Sequence, residues 1–345
     1  MRIALLVPNF VGYSGDARVV KSQAKELLQE GNEVSIFALS SNMEPPTGAN
    51  IFLLGMPDNL LLQRVYRLIF PLDLFRVLRW TKELKSYDKI IAHLYPMTWL
   101  AYLAKNVYDI EYIFWFHGIE DPNLFVHSYE RLYMNLHIFA TKHSIKNADK
   151  VVSVSKFAKL ILRELTGMDS EVIYNKVDAK IFRKGLDGSN IRKNYNIKYN
   201  DSIILSVGRI APQKGFHLLI RSFNIVKEKI PNAKLVIVGE ATFDYYFKEL
   251  KEMSDSSVIF AGEISGDEMP FFYAMSDIYA TCSLWETFNL PISEAQLCGK
   301  HVVAFDIEAS REVIDQNGVL VKKGDINMFA NACIYKLSEI KEYEL

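Results

Sequence analysis

The chain is short of cysteine, of net charge and of long apolar runs, and each shortage excludes a class of protein. Its three cysteines, Cys282, Cys298 and Cys333, are odd in number and widely spaced. They suit neither a disulfide frame nor a zinc site and read as small hydrophobes in a reducing compartment. Lys and Arg number 40 against 41 Asp and Glu, a formal charge of −1, so the chain is not a general binder of polyanions such as nucleic acid. No uninterrupted apolar stretch reaches the roughly 18 residues that a membrane span needs. Met1 leads directly into a strand-like Ile3–Val7 without the pattern of a signal peptide, which predicts a cytoplasmic protein. No Asp-x-Asp occurs to hold a metal, and there is no short-period repeat or low-complexity tract.

What is present is globular. Half of the 345 residues are apolar, and the length exceeds what one core usually fills, so two domains are expected. Short Val- and Ile-rich runs alternate with longer amphipathic segments. The first half holds Ile3–Val7, Val34–Leu39, Ile51–Leu54, Ile90–Leu94, Tyr112–Phe116, Val151–Val154 and Val172–Tyr174. The second holds Ile203–Val207, Leu235–Val238, Val258–Ala261, Ile278–Cys282, Val302–Phe305 and Val319–Val321. Continuous apolarity suggests strands covered on both faces, and helices between them imply parallel sheets. The beat breaks once, across the polar stretch Asn175–Asp201, which reads as the connection between domains. The expectation is an α/β protein with domains at 1–175 and 176–325 and a final helix at 326–345. Open parallel sheets bind ligands at the carboxyl ends of their strands, so two such domains facing each other would share one cleft.

Residues just after strands are therefore the candidates. Glu286 follows the run Ile278–Cys282, and Glu294 lies about one turn inside a short helix opening at Pro291 and stopping at Gly299. A helix start favours an anion while carboxylates accept from hydroxyls, and a nucleotide-sugar offers both groups. Ordinary helix capping is the plain alternative for such acids. After Ile203–Val207 come Arg209 and Lys214, a planar fork and a point charge that would clamp a diphosphate at a switch point. The turn Gly12-Tyr13-Ser14-Gly15 leads into a helix and would let backbone approach a phosphate, although it is neither a dinucleotide fingerprint nor a P-loop. His117 follows Tyr112–Phe116, where a structural histidine and a ligand contact are equally good readings. Gly262-Glu263-Ile264 offers backbone amides and an apolar wall for a flat base.

These residues together resemble a known group. Gly208-Arg209…Lys214-Gly215, Gly239-Glu240, Gly262-Glu263-Ile264 and Glu286…Leu290-Pro291…Glu294-Ala295…Cys298-Gly299 look like the signature of retaining glycosyltransferase family 4, with its Glu-x7-Glu element. The resemblance implies the GT-B fold, two Rossmann-like domains facing each other across a cleft. It implies transfer of a hexosyl group from a nucleotide-diphospho-sugar, UDP- or GDP-linked, to a glycan or lipid-linked hydroxyl with retention of configuration and no obligatory metal or other cofactor. It gives Glu294 the ribose hydroxyls and Glu286 the sugar hydroxyls, with backbone amides from Phe288, Asn289 and Leu290. Arg209 and Lys214 would neutralise the diphosphate, Gly15 would let the first loop close over it, Ile264 would read the base, and His117 would lie beside the sugar. It also implies a last helix packed back on the first domain. The chain departs from the pattern at Thr287 and Asn289, where glycines are usual, and at Lys176 and Ser14. Two other readings compete: a binding subunit without turnover, and a GT-B epimerase or phosphorylase.

The stretch from Leu60 to Lys85 mixes Leu62, Val65, Ile69, Leu74, Phe75, Leu78 and Trp80 with Arg64, Arg67, Arg76, Arg79 and Lys82. An apolar and basic segment of this kind suits a peripheral contact with an anionic membrane, and a pair of core-packing helices broken at Pro71 is the competing reading.

Overall fold

A computed structural model describes residues 1–12, 14–119, 122 and 127–343. The chain divides into two compact units, Met1–Lys176 and Val177–Leu345.

The first unit runs β1 (Arg2–Phe10), α1 (Gly15–Gln29), β2 (Glu33–Ser41), β3 (Asn50–Leu53), α2 (Leu60–Ile69), α3 (Leu74–Leu84), β4 (Lys89–Ala92), α4 (Met97–Tyr108), β5 (Glu111–Phe116), α5 (Ser128–Ser144), β6 (Lys150–Ser153), α6 (Lys156–Thr166) and β7 (Glu171–Val172). The second runs α7 (Ser189–Asn194), β8 (Ser202–Val207), α8 (Phe216–Lys229), β9 (Ala233–Val238), α9 (Asp244–Glu252), β10 (Val258–Gly262), α10 (Met269–Met275), β11 (Ile278–Thr281), α11 (Leu290–Leu297), β12 (His301–Asp306), α12 (Glu308–Val313), β13 (Val319–Lys322) and α13 (Ile326–Tyr343). Every apolar run read from the sequence forms a strand.

Both sheets are parallel. The seven strands of the first lie in the order β3-β2-β1-β4-β5-β6-β7, and the six of the second in the order β10-β9-β8-β11-β12-β13. Each sheet winds outward from its first strand in both directions. The order reverses between β1 and β4 in one and between β8 and β11 in the other, and a doubly wound sheet takes ligands at that switch point. Burial on both faces explains why the strands lack alternation: in β8 all but the last residue are buried, and Ile204 and Leu205 belong to separate cores on opposite faces.

Local signals set the helix ends. Ser155 caps α6 by accepting from the Ala158 amide, and Gly167 closes that helix at φ 75°. Asp73 does the same for α3 through the Arg76 amide. All three cysteines are free and buried, and Cys282 and Cys333 pack in one core with Phe305, Phe329 and Leu337.

The stretch Asn175–Asp201 holds the boundary between the units and also carries core residues: Phe182, Ile191 and Ile197 are buried in the second unit. Ile191 lies in the short α7 while Phe182 and Ile197 sit on the turns before and after it, so no helical period announces them. The final helix packs within its own unit, on α8 and the sheet, burying Phe329, Ala330, Cys333 and Leu337.

Candidate functional site

The second unit gathers charged groups at the carboxyl edge of β8 and β11. β8 ends at Val207, and the chain continues through Gly208 and Arg209 into a tight turn, Pro212–Lys214. Gly215 ends that turn at φ 65°, and a side chain there would bring its first carbon to 2.1 Å from the Cys282 carbonyl oxygen. Only glycine lets the turn lie this close to the loop after β11. The Leu284 amide donates to the Gln213 carbonyl at 2.8 Å and ties the two loops together.

That tie sets the central contact. Lys214 Nζ lies 2.5 Å from Glu286 Oε1, and both side chains are mostly buried. The buried Ser283 hydroxyl donates to the same carboxylate oxygen at 2.9 Å and is itself 3.1 Å from Thr281 Oγ1. The stem of Lys214 runs alongside Gly208. Arg209, on the next residue, is exposed at the strand end.

Asn289 is the N-cap of α11 and adopts φ 63°, ψ 58°, the left-handed region. Asparagine is among the few side chains that tolerate it, so the fold keeps a glycine-type turn without glycine. Phe288, Asn289 and Leu290 are buried, and Asn289 Nδ2 has no hydrogen-bond partner. Pro291 sits in the first turn, where its missing N–H costs nothing. One turn on, Glu294 is buried to 2% exposure and accepts from the Tyr273 hydroxyl at 2.7 Å. Tyr279 lies within the field of both acids: burial first, then Glu286 and Glu294, push its hydroxyl well above the usual tyrosine range. Ile264 follows β10, partly buried against the core that includes Val236 and Tyr273.

In the first unit, Gly15 is the first residue of α1, Ser14 is its N-cap, and the Ser14 hydroxyl bonds the Asp16 carboxylate. Tyr13, within the glycine turn, lies outside the described residues. His117 follows β5, and His93 follows the neighbouring β4. Nδ1 of the fully buried His93 is 2.8 Å from His117 Nε2, and His93 Nε2 is 3.1 Å from Gln23 Oε1 on α1. Burial holds His93 well below its ordinary pKa, with His117 adding to the effect, and burial pushes His117 down to about 3.

The structure thus joins Lys214 with Glu286 and sets Glu294 one helical turn beyond Asn289, while Gly15 and His117 lie in the other unit. Sequence reading missed Ser283, Tyr273, His93 and Gln23. For His93 a signal exists: it follows a strand just as His117 does, but taking the strand as far as Leu94 hides it. Among the described residues no group of His, Cys, Asp or Glu is arranged to hold a metal ion. No described helix is long and apolar enough to cross a membrane.

Two doubly wound sheets with an acid-and-lysine cluster at a switch point define a class, and comparison with known proteins agrees with it. Residues 13–180 match the family profile described as Glycosyltransferase Family 4, and residues 187–344 match that of Glycosyl transferases group 1. Together the two matches mark the chain as a glycosyltransferase of the GT-B fold. It is 25% identical to an uncharacterized glycosyltransferase of Methanocaldococcus jannaschii, over 93% of this chain and 85% of that protein. Its identity to the N-acetyl-alpha-D-glucosaminyl L-malate synthase of Bacillus anthracis is also 25%, over 81% of this chain and 72% of that protein. Among solved structures, Anabaena HepE in complex with UDP and glucose superposes with a TM-score of 0.80 at 21% identity, covering 99% of this chain and 91% of that one. That likeness shows the fold.

Proposed function

We propose that this protein moves a hexosyl group from a nucleotide-diphospho-sugar to an acceptor hydroxyl, with retention of configuration. The observation that carries the reading is the Lys214–Glu286–Ser283 cluster at the β8/β11 switch point, beside the start of α11. In this reading Lys214 and Arg209 neutralise the diphosphate as it departs, which is where the reaction develops negative charge. Glu286 accepts from sugar hydroxyls once Lys214 turns to phosphate, and the backbone amides from Phe288 to Leu290 assist. Glu294 takes the ribose hydroxyls, Ile264 faces the base, Gly15 lets the loop before α1 approach the phosphates, and His117 contacts the sugar. No metal or other cofactor is required. A uridine nucleotide is favoured over guanosine because HepE and this chain share the fold and HepE is described with UDP-glucose.

The experiment is a panel of UDP- and GDP-sugars scored first by thermal stabilisation and then by transfer, with the anomeric configuration of the product read by NMR. Ligand binding to the native state raises apparent stability directly. Stabilisation without transfer to any glycan or lipid-linked acceptor would leave a binding subunit, and release of free sugar phosphate a phosphorylase.

A second observation bears on the acceptor. The inner face of α3 is buried through Val77, Trp80 and Leu84, as core-packing helices require. Its outer face, with that of α2 and the turn between them, exposes Leu62, Val65, Ile69, Leu72, Leu74, Phe75 and Leu78. The two helices carry Arg64, Arg67, Arg76, Arg79 and Lys82 against Glu83 alone. The exposed stripe of α5, Tyr129, Leu132, Leu136 and Phe139, adds apolar surface at helical spacing. Such a face suits a peripheral contact with an anionic membrane and a lipid-linked acceptor. Co-sedimentation with vesicles containing phosphatidylglycerol, and its loss in Phe75→Glu, tests this; equal binding to neutral vesicles would refute the electrostatic part.

A further inference from the structure

The buried acid of α11 carries an inference about how the nucleotide end of the site is held. Glu294 is 2% exposed, one turn inside its helix. A carboxylate buried to this extent is costly unless hydrogen-bond donors reach it. Tyr273, fully buried on α10, donates its hydroxyl to Glu294 Oε2 at 2.7 Å. Chemistry fixes the direction of that bond: an ionised carboxylate only accepts, so the proton is the tyrosine's. The bond pins the far end of a side chain that rotates about three torsions when nothing holds it.

Tyr273 is itself held in place. Phe182 meets its ring edge-on, 5.9 Å between centroids at 71°, and the Tyr279 ring lies at 6.0 Å. Two cations clamp the end of α10. Arg192 Nε donates to the Met275 carbonyl at 3.0 Å, and Lys300 Nζ donates to the carbonyls of Ala274 and Ser276 at 3.1 and 2.7 Å. Cations there satisfy carbonyls that a helix leaves open at its C-terminus. The tyrosine hydroxyl is thus presented from a fixed platform.

We propose that Tyr273 is a positioning residue for the nucleotide: it fixes the Glu294 carboxylate to accept from the vicinal ribose hydroxyls, and so makes the site selective for ribonucleotides over deoxyribonucleotides.

The inference rests on the reading of Glu294 as the ribose acid and adds the residue that aims it. A carboxylate has about four lone-pair sites, enough to accept from Tyr273 and from a diol together. A neutral donor suits the task better than a cation. Lysine or arginine in its place would neutralise Glu294 and weaken its hold on hydroxyl protons, whereas tyrosine leaves the charge to strengthen those bonds. An acid aimed in this way rejects a ligand without the hydroxyls, because the buried carboxylate then goes short of donors.

The test compares UDP and GDP with their 2′,3′-dideoxy forms by isothermal titration. The unaltered protein should bind the ribose form of its nucleotide about 10–100-fold more tightly, the worth of a hydrogen bond to a charged group. Tyr273→Phe removes one oxygen and keeps the ring that packs with Phe182 and Tyr279. It should shrink that gap about fivefold or more by weakening the ribose form, with the dideoxy form bound within about twofold of normal. In Glu294→Ala the gap should vanish, and adding Tyr273→Phe there should change nothing further. An undiminished gap in Tyr273→Phe overturns the inference. Equal losses for both forms, as a loosened fold would give, overturn it as well. No gap in the unaltered protein, or no binding of either nucleotide, overturns the ribose reading of Glu294 and the inference with it. The unaltered protein and Glu294→Ala therefore decide that reading before any change is made at Tyr273.

Discussion

Replacing Lys214 by Met separates the two duties that the structure gives this lysine. In the structure it neutralises Glu286 across 2.5 Å, with side-chain exposures of 20% and 13%. The contact lies between a surface pair, worth about 0–1 kcal/mol, and a fully buried one, whose breaking costs about 3–5 kcal/mol. Glu286 keeps the Ser283 hydroxyl as a donor, so a loss of about 1–3 kcal/mol is expected. For a unit the size of Val177–Leu345 that corresponds to a fall in Tm of about 2–4 °C per kcal/mol. The effect on transfer should be larger and of different origin. Removing a preorganised charge from the place where the diphosphate leaves costs roughly 10²–10³-fold in kcat. The assay is a double-mutant cycle with Glu286→Gln, measuring unfolding and transfer side by side. For stability the double variant should recover part of the loss, because removing both partners leaves no buried charge unpaired, and the coupling should be about 1–2 kcal/mol. For kcat no recovery is expected, since each residue has its own part of the donor to hold. Transfer within about threefold of normal in Lys214→Met would refute the assignment, whatever happens to Tm.

Three further outcomes are expected. Gly215→Ala should destabilise by more than about 2 kcal/mol by chemical denaturation, because the left-handed backbone and the 2.1 Å approach to the Cys282 carbonyl both exclude a methyl group; a normal midpoint would show that the loops are not held together there. Asn289→Gly should leave stability unchanged or raise it by up to about 1 kcal/mol, since it removes a strained side chain and a buried unpaired amide, whereas Asn289→Ala should lower it by about 1–2 kcal/mol; a stable alanine variant would contradict the positive φ. Stability should fall on acidification below about pH 6.5, where the unfolded histidines take up protons that buried His93 and half-buried His117 refuse. The slope approaches about 1.4 kcal/mol per pH unit for each histidine until pH nears the depressed folded value. Denaturation midpoints between pH 7 and 5 should therefore drop less in His93→Leu than in the unaltered protein.

The sheet architecture was legible because parallel strands are buried on both faces and so write themselves as unbroken apolar runs. All thirteen runs became strands, and their edges supplied the candidate residues. Glu286, Lys214 and Glu294 were readable for the same reason: each follows a strand or opens a helix at a carboxyl edge. Their mutual arrangement was not. That Lys214 meets Glu286 depends on Gly215 pressing one loop against another 67 positions along the chain, and such a contact has no period. Tyr273 and Ser283 likewise reach the acids through tertiary packing, so nothing beside them in sequence marks them. The segment Asn175–Asp201 buries Phe182 and Ile197 on turns and Ile191 in the six-residue α7, so no period in the sequence marks their burial. Phe329, Cys333 and Leu337 stand at helical spacing in the last helix and mark the face that the core of its own unit covers.

The burial of the three thiols has a practical side. Cys282, Cys298 and Cys333 are at most 6% exposed, and burial raises the pKa of each, in Cys298 to about 11. Reagents that capture thiolates at neutral pH will find almost none to attack. A single cysteine introduced on the surface can therefore take a fluorophore or spin label without removal of the native ones, which makes this chain a ready carrier for an optical sensor of its own ligands.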